Sequence, residues 1–212
     1  MEVKNLGVTF QHDLRFEKHI EIIRKQCFKL LGFIKRNTRD FWNVKTIIIL
    51  YNSLIKSRLQ YACTVWSPTK EKHVHAVEVV QNKFIKYVYY KKYYTNPPFE
   101  AYQPLREEFQ LASLANCREL SMLKLIYKIF NNNIQSAYLL SLIRFHIPRY
   151  NTRPRPPLHE SKNQISPINK ACGLVNKYYR TIEIYDVPLQ IFLRQAKSQI
   201  CQKTSALTVS SK

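Results

Sequence analysis

The sequence predicts a mainly α-helical fold: a short N-terminal edge strand, a bundle of three long helices and a second helical subdomain. Three observations carry that reading. Apolar residues recur three and four positions apart through several long segments, the period of an amphipathic helix. Only three glycines occur in 212 residues, too few for a glycine-rich phosphate loop or for an α/β fold full of tight turns. The chain is 45% hydrophobic, enough at this length to bury a real core.

Residues 3–10 alternate apolar and polar side chains at Leu6, Val8 and Phe10, the pattern of a half-buried strand. No second strand pattern follows, so this strand is expected to lack a partner and the chain to be cut short at its start. Phe16, Ile20, Ile23, Cys27, Leu30 and Ile34 then form the seam of the first long helix. Asn43 is placed to cap a second, whose face of Ile48, Tyr51, Ile55, Leu59 and Ala62 is widened by Ile47, Leu50 and Leu54. A face that broad is buried on two sides. Ser67-Pro68 reads as a stop-and-start signal before a third helix from about Lys70, with Val74, Val77, Val80, Phe84 and Val88 inward. Asn96-Pro97-Pro98 marks the clearest internal boundary. Beyond it, a helix is expected over 111–130 with Leu114, Met122, Leu125, Ile126 and Ile129 inward. Asn131–Asn133 closes it, and a short helix follows near 137–143. The stretch IPRYNTRPRPPL, residues 147–158, is an irregular loop. Shorter helices start near Pro167 and Pro188, before a tail expected to fray.

Charge narrows the partners. The 34 Lys and Arg against 14 Asp and Glu leave +20. Residues 1–100 hold 18 basic and 8 acidic side chains, the remainder 16 and 6, so the excess belongs to the whole body rather than to a tail. A basic folded body points to a polyanion, with nucleic acid first and an acidic membrane surface second. The helix seams are too evenly taken up by core packing to favour the membrane. No apolar run reaches bilayer length, and MEVKNLGVTF lacks the basic leader and apolar stretch of a signal peptide. An intracellular, nuclear or cytoplasmic location is expected. The scattered Cys27, Cys63, Cys117, Cys172 and Cys201 read as reduced thiols.

Catalytic chemistry finds no footing in the residue pattern. Asp13, Asp40 and Asp186 are isolated, and no paired-aspartate motif of a two-metal site occurs. Glu107-Glu108 reads as an exposed helix start, and His73 with His75 as a solvated helix face. His19 reads as a half-buried side chain fixing the first helix against the strand. Gly32, mid-helix, is expected to serve close helix packing or else close approach of a nucleic-acid backbone. No site for a catalytic group, metal or cofactor is expected. The binding candidates are cationic: Arg24, Lys25, Lys29, Lys35, Arg36 and Arg39 on the first helix, together with Lys4, Lys86, Lys91 and Lys92. The last three lie in KYVYYKKYY, residues 86–94, whose tyrosines fall at helical spacing. One tyrosine row is expected to cap the core and the other to lie at the surface with the lysines.

Five phrases occur in order over residues 3–86: VKNLGVTF, FEKHI, LGFIKR, LYNSLIKSRLQYACTVWSP and VQNKFIK. Together they resemble the region just past the palm in reverse transcriptases of non-LTR, jockey-like retrotransposons. LASLANCRELSMLKLIYKIFNNNI looks like the less characterised C-terminal helical part of the same proteins. The resemblance implies three regions: an orphan strand over 1–12 from the primer-gripping edge of the palm, a thumb-like bundle over 13–95, and a C-terminal helical region over 96–212. It implies a role in holding an RNA/DNA hybrid or DNA beside an upstream palm and fingers. The catalytic aspartates and their magnesium would lie outside this chain, which alone is expected to be inactive as a polymerase. The chain departs from the family at Cys117-Arg118, where adjacent basic residues are usual, and has no zinc knuckle. The alternative is a stand-alone helical interaction or nucleic-acid-binding protein derived from such an element, docking a partner on its broad second helix.

Overall fold

The computed structural model describes residues 2–41, 43–98, 102–147, 156–160 and 166–209, with backbone alone beyond 202. The fold is mainly α, opened by one small antiparallel sheet. Two compact units divide after Cys117.

Residues 3–10 make a hairpin rather than one strand. β1 (Glu2–Asn5) pairs with β2 (Val8–Gln11), with Val3 opposite Phe10 and Lys4 opposite Thr9. Leu6 and Gly7 between them both take positive φ, 45° and 81°, as a two-residue hairpin turn of the tightest kind requires. The expected orphan strand is thus paired locally, and the argument for a missing neighbour falls with it. Gly7 is what permits the reversal, and the Tyr61 hydroxyl donates to the Leu6 carbonyl at 2.9 Å, tying down the tip.

α1 (Glu17–Asn37) buries Ile20, Ile23, Cys27, Leu31 and Ile34. Leu31, not the expected Leu30, continues the seam, and Leu30 packs half-buried at its margin. His19 is buried and joins three elements. The Thr9 backbone N–H donates to its Nδ1 at 3.1 Å, and its ring meets Trp66 edge-on at 5.6 Å. Burial holds its pKa below the ordinary histidine value. The unfolded chain therefore takes up a proton that the fold resists, so this contribution is complete above about pH 6.5 and is lost as pH falls. Between about pH 7.5 and pH 5.5 the melting temperature should drop further for wild type than for His19→Asn, whose amide oxygen can still accept from Thr9. Equal drops would show that another group titrates.

The second helix runs as α2 (Val44–Tyr51), a π-helical turn (Asn52–Lys56) and α3 (Ser57–Gln60). Asn43 caps it as expected, accepting from the Lys45 N–H at 3.0 Å. Its buried residues Ile47, Tyr51, Ile55 and Leu59 lie four apart throughout. In an α-helix each such step overshoots a turn by about 40°. The wider π turn takes back part of that drift and keeps all four side chains facing inward. Ala62, left-handed at φ 48°, redirects the chain into α4 (Cys63–Trp66), which drives Trp66 into the core.

Ser67-Pro68 stays in a connector, and α5 (Glu71–Tyr93) begins after Lys70. Val77, Val80, Phe84 and Val88 are buried along it, and Phe84 stacks on Tyr51 at 4.0 Å. α6 (Tyr102–Glu108) ends, rather than starts, at Glu107-Glu108. Leu105, Phe109, Leu111 and Leu114 join the core formed by α1 to α5. The first unit therefore extends to Cys117 instead of stopping at residue 95, because apolar anchors continue past the Asn-Pro-Pro break.

In the second unit, α7 (Leu114–Phe130, here from Arg118 on), α8 (Ala137–Ser141), α9 (Pro167–Tyr178) and α10 (Leu189–Val209) enclose Met122, Ile126, Val175, Phe192 and Ala196. α7 begins at Leu114, later than the expected 111. Asn132 at φ 55° supplies its left-handed stop, as the asparagine run suggested. Phe145 bridges Leu158, and Asn176 bonds both Leu158 backbone groups. Residues 148–155 of the expected loop lie outside the described residues. α10 is a 21-residue helix, longer than expected.

Candidate nucleic-acid interface

α1 and α5 lie side by side and run in the same direction. Glu17, at the start of α1, pairs with Lys70 and His73 at the start of α5. Beyond the end of α1, the Thr38 hydroxyl bonds the Tyr87 hydroxyl at 2.7 Å, and the Lys91 ammonium donates to the Arg39 carbonyl. Charge is sorted along this pair. No Asp or Glu occurs in residues 22–39 or 79–98. The carboxylates lie in the first half of each helix, where Glu17, Glu21 and Glu78 are matched by Lys70, Lys25 and Arg106.

The helix dipole favours bases in a last turn, which accounts for Lys35, Arg36, Lys91 and Lys92. It does not reach Arg24, Lys29, Lys83 or Lys86, which lie further back. Of these, Arg24, Lys83 and Lys86 line the seam between the helices, beside an aromatic floor. Arg24 and Lys83 lie over the Phe28 ring at 6.0 and 4.7 Å, and Lys35 over the Tyr87 ring at 5.5 Å. Cation–π contact lets ammonium groups stay close without acids. The pKa of Lys35 is lowered, first by burial and then by the charges of Lys83 and Lys86. Three ammonium groups thus crowd one another, and none forms an ion pair with a carboxylate of the described residues. An anion placed among them would relieve that repulsion.

The structure gathers Arg24, Lys35, Arg36, Arg39, Lys86 and Lys91 on or beside this seam. Lys29 is exposed on the adjoining stripe of α1, as are Lys25 and Arg36, with Gly32 half-buried among them. Lys25 is matched by Glu21 at 2.7 Å. Lys92 is engaged elsewhere: it pairs with Glu108, which with the Tyr93 hydroxyl raises its pKa, and it lies over Tyr93 and Phe109 at 4.9 and 5.8 Å. Lys4 stands apart, exposed on β1 at the His19 end of α1, about 24 Å of helix from Lys35. Lys83 is the cation that sequence reasoning missed, although it falls three residues before Lys86 on the same face.

Gly32 has no packing role among the described residues. A Cβ there would meet only the Arg36 guanidinium, at 3.5 Å, which overturns the expected close helix contact. Gly32→Ala should therefore raise stability by about 0.5–1 kcal/mol, the ordinary mid-helix gain, measured by denaturant melting. A loss of stability would contradict this geometry.

Among the described residues no three His, Cys, Asp or Glu side chains converge as a metal site, and no helix is long and apolar enough to cross a membrane. The apolar side of the second helix is taken up within the unit. Ile48, Leu50 and Leu54 pack on the core, and only Ile49 is strongly exposed, at 65%.

No family model matches this chain, and no solved structure matches it. It is similar to the uncharacterized protein B0403.1 of Caenorhabditis elegans, 26% identical over 99 residues. That span is 47% of this chain and half of the relative's length.

Proposed function

We propose that this chain is the thumb-bearing C-terminal part of a non-LTR retrotransposon reverse transcriptase, and that it holds template–primer nucleic acid along the α1–α5 seam. The supporting observation is the acid-free cluster of Arg24, Lys35, Lys83 and Lys86 over Phe28 and Tyr87. Phosphates neutralise these cations, while parallel helices offer a straight track for a backbone. Recognition is by charge and shape, as suits an A-like hybrid whose deep groove side chains cannot read. Polymerisation chemistry belongs to palm residues outside this chain. The alternative, a protein-docking module built on the second helix, loses its free apolar face to the core.

Competition tests the proposal. A fluorescein-labelled RNA/DNA hybrid bound by the chain at low salt should be displaced best by unlabelled hybrid, then by duplex DNA and single-stranded RNA. Lys35→Glu/Arg36→Glu should weaken all three. Failure to bind, or binding indifferent to both competitor and reversal, would contradict the proposal.

A further inference from the structure

We infer that the C-terminal end of α5 is a stacking platform for unpaired bases, so that the site takes a single-stranded extension of the nucleic acid lying in the seam. This rests on the α1–α5 reading above and adds to it a part that the resemblance leaves without a role.

The five tyrosines of residues 87–94 divide into two groups. Tyr87 is bonded to Thr38. Tyr93 donates to Glu108 at 2.6 Å and carries Lys92 on its ring. Tyr89 packs against the core and lies on Tyr93 at 4.7 Å. Tyr90 and Tyr94 do none of this. They are 50% and 62% exposed, meet each other edge-on at 6.5 Å, and their hydroxyls have no hydrogen-bond partner among the described residues.

Position singles out this pair. Lys83, Tyr87, Tyr90 and Tyr94 recur at steps of four, three and four, so the two free rings continue the row that lines the seam, past the end of α1 at Asn37. Tyr94 caps α5 at φ 58°, its N–H bonded to the Tyr90 carbonyl at 2.8 Å. Glycine is the usual residue there because an L side chain is disfavoured. A large, exposed aromatic ring is held in that disfavoured conformation, which it shares with seven other described non-glycine residues, Phe16 among them. Residues 79–98 themselves hold no carboxylate, and Glu108 near this end of α5 is engaged by Lys92 and Tyr93. Exposed rings at the end of a cationic track suit bases joined by phosphates, since every base offers a π face whatever its identity.

The test uses the full chain and two fluorescent probes: a blunt RNA/DNA hybrid, and the same hybrid with an unpaired extension. For wild type the extension should tighten binding about 10-fold, the factor that one stacked base contributes. Tyr90→Ala/Tyr94→Gly should abolish that gain and leave blunt-probe affinity unchanged. Tyr94→Gly alone relieves the left-handed strain, so its melting temperature should equal or exceed that of wild type, and misfolding cannot explain its weaker grip on the extension. Tight blunt-probe binding with no gain from the extension, or a gain that survives in the double variant, would overturn the platform alone. Loss of binding to both probes in wild type would overturn the seam reading beneath it.

Discussion

Trp66→Ala should cost about 3–5 kcal/mol, the range for truncating a fully buried large aromatic. Its ring is fully buried, its indole N–H donates to the Tyr61 carbonyl at 2.8 Å, and its face receives His19, which in turn holds the hairpin through Thr9. One deletion thus opens a cavity where the hairpin, α1 and α4 meet. Native domains are stable by only about 5–15 kcal/mol, so the first unit should lose much of its margin. The second unit has a core of different residues around Phe192. Denaturant melting followed by circular dichroism should then show an early transition for the variant and a later one near its wild-type midpoint. A single unshifted transition would contradict the account of this core.

The triple reversal Lys35→Glu/Lys83→Glu/Lys86→Glu should weaken nucleic-acid binding by at least about 100-fold at low salt. Each lysine that meets a phosphate adds about one unit to the slope of log affinity against log salt, so the slope should shrink by about three. The fold should lose little, about 0.5–1 kcal/mol for each of the cation–π contacts of Lys35 and Lys83. These ammonium groups pair with no carboxylate of the described residues, so no ion pair is broken. Melting that stays near wild type while binding collapses separates contact with ligand from damage to the protein. Unchanged binding would place the nucleic acid elsewhere, or nowhere.

Much of this fold is written in its apolar periodicity, since burial on one side of a helix leaves a repeating trace. Ile20, Ile23, Cys27 and Ile34, then Tyr51, Ile55 and Leu59, then Val77, Val80, Phe84 and Val88 are core residues as their spacing foretells. What escaped were features that break a period. The hairpin hid because Leu6 and Gly7 sit within an unbroken alternation and leave strands of only four residues. The π turn hid because a strict four-residue repeat still reads as a helix. Ser67-Pro68 did mark the break, since α4 ends at Trp66 and α5 begins at Glu71, close to the expected Lys70. The boundary after residue 95 failed because Leu105, Phe109, Leu111 and Leu114 return to the first core, a tertiary fact that no local signal holds. At the candidate site the basic side of α1 was legible from charge alone. Its partner Lys83 and its floor of Phe28 and Tyr87 needed the parallel packing of α1 on α5. The reading of Gly32 as a packing contact fails for the same reason: a glycine's cost is visible in sequence, whereas its neighbours are not.

The measurement that bears most directly on the central claim is the affinity of the full chain for a labelled RNA/DNA hybrid as salt rises from about 50 to about 200 mM. If the α1–α5 seam grips three to five phosphates, log affinity should fall linearly with log salt at a slope of about −2 to −4, and Lys35→Glu/Lys83→Glu/Lys86→Glu should flatten it. Affinity that ignores salt, or a slope that the triple variant leaves unchanged, would contradict a phosphate track along these two helices.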